Sequence, residues 1–206
     1  MMNEANFRMA FLILLLGLIG MRVYFMVKVR RSGGRITPDK EAVKREGGQG
    51  VLVFRMILFF ALIAFLVMYF LGAQWIDVFR FSLPAGLRRT GFVLGMLSVA
   101  FWTWTQVTLD TQWSAQLQLT KDHSLVTTGP YARMRHPLYS AMFGWGVALA
   151  LLTANWVFVG IAVLMVAGLV WRVPREEQMM LAAFGNEYKV YMQHTGRFFP
   201  RLGTTR

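Results

Sequence analysis

The chain has no cysteine, which excludes disulfides, thiolate metal ligands and a cysteine nucleophile. Acidic residues are scarce, at 10 Asp+Glu against 22 Lys+Arg, for a formal net charge of +12. No glycine-rich fingerprint follows a candidate strand, so a soluble Rossmann-type domain is not suggested. Polar residues are few in general. Of the 206 residues 56% are hydrophobic, above the roughly 45–50% usual in soluble domains, and mean hydropathy is +0.45. These values point to a membrane protein, with one compact domain the simplest count. On a soluble protein the basic excess would suggest nucleic acid; in a membrane protein the positive-inside rule accounts for it, and no nucleic-acid partner is expected.

What is present is a series of apolar runs. Residues 7–27 reach the ~20 residues a spanning helix needs, with Arg8 at the start and Arg22 placed to snorkel. No small-x-small cleavage site follows, and Lys28, Arg30 and Arg31 are the wrong flank for a signal peptide, so a retained helix is expected. Residues 28–50 read as a basic loop, 50–71 as a second span and 90–109 as a third. Between the last two, residues 72–89 hold Trp75, Phe79 and Phe81, aromatics suited to a membrane interface. Residues 137–152 and 156–171 form a tight helical hairpin, with Gly144, Gly146, Gly160 and Gly168 expected to admit neighbouring helices. The fold expected is an all-α integral membrane protein of about five transmembrane helices. It divides into an N-terminal part, residues 1–109, and a C-terminal part, residues 110–206, that carries the chemistry.

Charge sets the orientation. The first loop, the stretch 116–139 and the tail after Trp171 hold seven, three and six basic residues, whereas the opposite side holds Arg8, Arg80, Arg88 and Arg89. An outside amino terminus and a cytoplasmic carboxy terminus follow. The central stretch and the tail then share one face.

Residues 116–139, QLQLTKDHSLVTTGPYARMRHPLY, are polar and irregular between greasy neighbours, and set Arg133, Arg135 and His136 directly against a membrane helix. In the tail, Pro174 fits a helix's first turn, where Glu176 and Glu177 would favour the dipole. Gly185 should end or bend that helix. Leu181, Phe184, Tyr188 and Tyr191 follow Glu177 at three- or four-residue steps and make one face if the helix continues. Each feature has a bland explanation: capping for the glutamates, a snorkelling charge for Arg135, a helix-start donor for His136, belt aromatics for Tyr131 and Tyr139. Together on one face they read as a binding site.

The run TGPYARMRHPLY (128–139), the pair Glu176-Glu177 with Leu181, Phe184, Gly185, Glu187, Tyr188 and Tyr191, and a final RFFP (197–200) resemble the isoprenylcysteine carboxyl methyltransferase family of membrane methyltransferases, and related phospholipid N-methyltransferases. The likeness covers residues 116–200. It implies that S-adenosylmethionine binds between the loop before His136 and the helix bearing the glutamates. Gln116, His123, Leu125, Val126, Tyr131, His136, Pro137, Leu138, Tyr139 and Glu177 match cofactor-contacting positions, and Arg172 lies near the family's substrate-side arginine. The implied acceptor is a lipophilic molecule entering from the membrane lipids, a prenylcysteine-like carboxylate or a lipid amine.

The cofactor's groups suit these residue types. Arg135 or His136 can meet its carboxylate, Glu177 its ammonium or ribose, and Tyr131 and Tyr139 its adenine. Methyl transfer needs alignment more than acid-base work; an amine acceptor would need a base, for which Glu176 is the candidate. An NADPH-dependent reductase of the steroid reductase type is the alternative, but Leu138 and Ser140-Ala141-Met142 stand where that pattern is polar. A non-catalytic membrane protein is the third reading. Because Glu177 and His136 are read as ligand groups, their removal is expected to leave the stability of the apo protein nearly unchanged.

Overall fold

The structure is a computed structural model that describes residues 3–32, 48–110 and 124–201. Gln116, His123 and most of the first basic loop lie outside the described residues. The elements are α1 (Glu4–Arg31), α2 (Gly48–Phe70), the short α3 (Gln74–Asp77), α4 (Ala85–Leu109), a 3-10 turn (Gly129–Ala132), α5 (Pro137–Thr153) and α6 (Trp156–His194). Among the described residues only two isolated bridges, Arg80 with Asn155 and Met134 with Gly196, break the all-helical pattern. The protein is an all-α integral membrane protein.

Helices α1, α2, α4 and α6 are long and apolar enough to cross a bilayer. The remaining apolar helix, α5, has 17 residues, roughly 26 Å at the α-helical rise. Helix ends follow local chemistry. The Asn3 side chain accepts from the Asn6 amide at 3.1 Å, and α1 closes on Lys28, Arg30 and Arg31. Pro137 occupies the first turn of α5, where its missing N–H costs nothing.

Apolar surface alone does not hold helices together in lipid, so close approach at small residues matters. Helix α4 supplies two such residues: a Cβ on Gly91 would lie 2.8 Å from that of Leu151, and one on Gly95 2.6 Å from Leu14 Cδ1. On α5, Gly144 faces Ser98 and Gly146 faces Ala162, as expected, but Gly160 and Gly168 meet open space and carry no helix contact. The core joins Phe7, Phe11 and Leu14 of α1 to Tyr69, Ile76, Trp145, Leu152 and Phe158. Phe158 sits at its centre, with ring centroids 5.5 Å from Phe11 and 5.0 Å from Tyr69.

The hairpin between α5 and α6 is tied down by its own turn. Ala154 takes a left-handed conformation, and the buried Asn155 caps α6 through Val157 N while its Nδ2 donates to the Ile76 carbonyl at 3.0 Å. At this end Arg88 donates through Nε and one Nη to the Leu152 carbonyl, at 3.0 and 2.8 Å, satisfying a helix-terminal acceptor. It also grips Glu4 at 2.7 and 3.0 Å, while Arg80 pairs with Glu4 as well.

The tail departs from expectation. Pro174 does not open a new helix: α6 runs from Trp156 without a break through it, so Glu176 and Glu177 stand about six turns inside a helix. Neither glutamate is a cap. Val173, just before the proline, is buried. Gly185 bends α6, with φ 52° and ψ −119°, and the helix resumes beyond it.

Removing the Arg88 guanidinium would leave Glu4 and the Leu152 carbonyl without their buried donor. Arg88→Ala should cost about 3 kcal/mol, read as a lowered melting temperature of the detergent-purified protein.

Candidate functional site

The polar sequence after residue 123 builds the end of the bundle where α4 stops and α5 begins. Leu125 and Val126, half-buried, lie in the segment that leads into the 3-10 turn. Gly129 there has φ 56°, and a Cβ on it would lie 2.9 Å from Thr108 Oγ1 of α4. Only glycine serves both demands. The turn buries Pro130 and Tyr131.

The chain then runs alongside the tail. Arg135 N donates to Gly196 O at 2.8 Å, His136 N to Arg197 O at 3.0 Å, and Gly196 N to Arg133 O at 3.1 Å. A Cβ at Gly196 would collide with the Phe199 carbonyl oxygen. Ser140 Oγ donates to the Phe198 carbonyl, and the Tyr191 hydroxyl, past the Gly185 bend, donates to Tyr131 O at 2.7 Å. Motif and tail thus form one backbone-linked unit.

At its centre lies Glu177, 4% exposed. Its Oε1 accepts from Arg135 Nε at 3.0 Å and Arg197 Nε at 3.3 Å and lies 3.3 Å from His136 Nε2, while its Oε2 accepts from Arg197 at 2.6 Å. Arg135 also donates to the carbonyls of Met192 and Thr195, at 3.1 and 2.6 Å. Glu177 lies six residues beyond Trp171, past the apolar stretch of α6. Burial alone would raise its carboxyl, but the hydrogen bonds from His136, Arg197 and Arg135 outweigh it and bring the group down to about 2.

A second cluster adjoins the first. The Tyr139 hydroxyl donates to Glu176 Oε2 at 2.5 Å, and Arg172 Nε stands 4.0 Å from the same oxygen. The Tyr139 ring stacks on His136, with centroids 5.4 Å apart and planes within 7°. Pro137 is buried at the start of α5 and Leu138 half-buried beside it. The structure therefore brings Tyr131, Arg135, His136, Pro137, Leu138, Tyr139, Arg172, Glu176 and Glu177 to one end of the bundle. Sequence reasoning assigned no role to Arg197 or Thr195. Arg197 belongs to the RFFP tail, whose cation beside aromatics was the available signal.

These features define a class: a helical membrane protein with a carboxylate-centred polar site at one end. Residues 90–182 match the profile of the isoprenylcysteine carboxyl methyltransferase family. That match takes in both the Arg135-His136 motif and the Glu176-Glu177 pair. It is similar to the nickel-cobalt-cadmium resistance protein NccN of Alcaligenes xylosoxydans xylosoxydans, at 32% identity over 75% of this chain and 66% of that protein. The cobalt-zinc-cadmium resistance protein CzcN of Cupriavidus metallidurans shares 33% identity over 55% of this chain and 50% of its own length. The protein-S-isoprenylcysteine O-methyltransferase of Schizosaccharomyces pombe shares 36% over 40% and 35%. Among solved structures, the eukaryotic intramembrane Ras methyltransferase aligns at TM-score 0.48 and 28% identity, over 56% of this chain and 42% of that one. The chain spans between about a third and two thirds of the length of these curated relatives.

A buried carboxylate that anchors three side chains is a fold-holding group, which revises the expectation that its loss spares the apo protein. A depressed carboxyl contributes stability that is present above its ordinary value and is lost as pH falls through the folded one. The melting temperature should therefore drop between pH about 4.5 and about 2. Glu177→Gln should melt lower at pH 7 and show a flatter dependence across that window, measured by scanning fluorimetry in detergent.

Proposed function

We propose that this protein is a membrane methyltransferase that uses S-adenosylmethionine and acts on a lipophilic acceptor. The observation that carries the reading is the ionised, buried Glu177 joining the Arg135-His136 motif to the tail, beside the Tyr139-Glu176-Arg172 cluster. Relatives named as isoprenylcysteine O-methyltransferases support it. The donor set suits the cofactor, which presents a carboxylate, an ammonium, a ribose diol and an adenine. Cationic, anionic and aromatic groups meet at one membrane edge.

When bound, S-adenosylmethionine supplies an electrophilic methyl group on a sulfonium. Tyr131, His136, Pro137, Leu138 and Tyr139 would hold it, with Leu125, Val126, Gln116 and His123 from the preceding segment. Glu177 acts chiefly by positioning: its oxygens are taken up by Arg135, His136 and Arg197, and it fixes the loop against the tail. Glu176, held by the Tyr139 hydroxyl, orients Arg172 toward an anionic acceptor. For an amine acceptor the same carboxylate is the candidate base. Burial of the Glu177 carboxylate with Arg135 and His136 strengthens their mutual contacts.

The proposed setting is an inner or plasma membrane, with the amino terminus outside and the carboxy terminus in the cytoplasm, supported by the basic residues gathered at the site end. The cysteine-free chain makes orientation directly readable. Arg201→Cys in sealed cells should react with an impermeant maleimide only after permeabilisation. Labelling of intact cells would reverse the orientation.

Calorimetric titration tests the cofactor. S-adenosylmethionine and its demethylated product should bind the detergent-purified protein, and NADPH should not. NADPH binding alone would replace this reading with a reductase, and binding of none with a non-catalytic membrane protein.

A further inference from the structure

Of the three side chains that meet Glu177, one is free to leave. Arg135 is not: its side chain is 9% exposed and its Nη1 also donates to the carbonyls of Met192 and Thr195, so its withdrawal would strand two acceptors and a poorly solvated cation. His136 is 6% exposed and stacked on the Tyr139 ring, and is held as firmly. Arg197 differs. Its side chain is 49% exposed, and among the described residues Glu177 is the one group to which it donates. Turned into water, its guanidinium gives up one carboxylate and regains its hydration.

The two oxygens of Glu177 are unequal in this respect. Oε1 is shared by Arg135, His136 and Arg197, whereas among the described residues Oε2 accepts from Arg197 alone, at 2.6 Å. Departure of Arg197 therefore bares Oε2 on the side where the guanidinium meets solvent and leaves Oε1 anchored. A carboxylate this buried is stable only when paired, so what replaces Arg197 has to be another cation with N–H groups. A primary ammonium is compact and carries three donors.

The backbone of Arg197 stays in place during such an exchange. Its carbonyl accepts from His136 N at 3.0 Å, and the neighbouring Gly196 N donates to Arg133 O at 3.1 Å. The freed guanidinium thus turns about a fixed point and remains beside the group that replaced it. A carboxylate on the incoming molecule would meet it there, and every charge would again be paired.

We propose that Arg197 is an internal stand-in for a ligand's ammonium group: in the ligand-free chain it occupies Glu177 Oε2, and on binding of an amino-acid-like zwitterion it yields that oxygen to the ammonium and turns to the carboxylate. The identity of the zwitterion as S-adenosylmethionine rests on the function proposed above; the exchangeable position on Glu177 stands without it.

The test has two arms, both with the full chain in detergent. In the first, melting temperatures of wild type and Arg197→Ala are followed against methylammonium chloride, with tetramethylammonium chloride, which has no N–H, at equal ionic strength. Arg197→Ala should melt lower, and methylammonium alone should restore part of the loss in a saturable way; the wild type should not respond. Equal effects of the two salts on Arg197→Ala would overturn the proposal. In the second, titration calorimetry compares decarboxylated S-adenosylmethionine, which keeps the ammonium, with methylthioadenosine, which has neither charged group. With its internal competitor gone, Arg197→Ala should bind the decarboxylated compound about tenfold tighter than wild type, bind methylthioadenosine unchanged, and lose the preference for S-adenosylmethionine over the decarboxylated compound. Weaker binding of all three would mean that Arg197 only holds the fold, and would overturn the proposal. Arg197→Lys, which keeps a cation but cannot fork across both oxygens, should shift the same affinities in the same direction by less, and serves if the alanine variant does not fold. Rescue by methylammonium with no adenosyl compound bound by the wild type would sink the cofactor reading and uphold the exchangeable position.

Discussion

The arrangement of the site depends on one buried carboxylate. Glu177 sits where α6 passes the start of α5, and the guanidiniums of Arg135 and Arg197 reach it from two different segments. Without it, two positive groups would face each other in a poorly solvated space; with it, the loop and tail are drawn together and their backbones pair. The hydrogen bonds of residues 133–136 with 196–197 are thus a consequence of charge, since neither segment is long enough to form a sheet.

The bundle that carries this centre is organised at both ends by polar chemistry and in the middle by shape. At the far end Arg88 and Arg80 converge on Glu4, while Asn155 closes the hairpin turn. Between the ends, glycines of α4 let α1 and α5 approach, and aromatic rings gather around Phe158. An arginine cluster at one end and a glutamate centre at the other fix the rotation of α1, α4, α5 and α6 about their axes, which lipid-facing apolar surface could not do.

Much of this was legible in sequence. Apolar run length gave the helices, because backbone satisfaction in lipid leaves the chain little alternative. The Arg135-His136-Pro137 motif and the glutamate pair stood out because cations, a histidine, carboxylates and aromatics fall together on one face at the ends of apolar runs. Less legible was anything that depends on which helix face meets which neighbour. Gly160 and Gly168 looked like packing residues and face open space, whereas Gly91 and Gly95 went unremarked and are crowded. Pro174 looked like a helix start because proline usually is one, yet α6 passes through it, and the capping explanation for Glu176 and Glu177 falls with that. The role of Arg197 went unassigned for a different reason: its partner lies 20 residues away across the Gly185 bend.

That bend has a consequence for biosynthesis. Helices enter the membrane in the order in which they are made, and α1 to α5 can find one another before α6 is complete. Glu177 then stands in the nascent chain with only the loop cations to meet it. The second guanidinium and the strand-like partner of residues 133–136 emerge after Gly185 has turned the chain back. In chain order the polar end is thus completed last, by the contacts of residues 196–198 with residues 133–140.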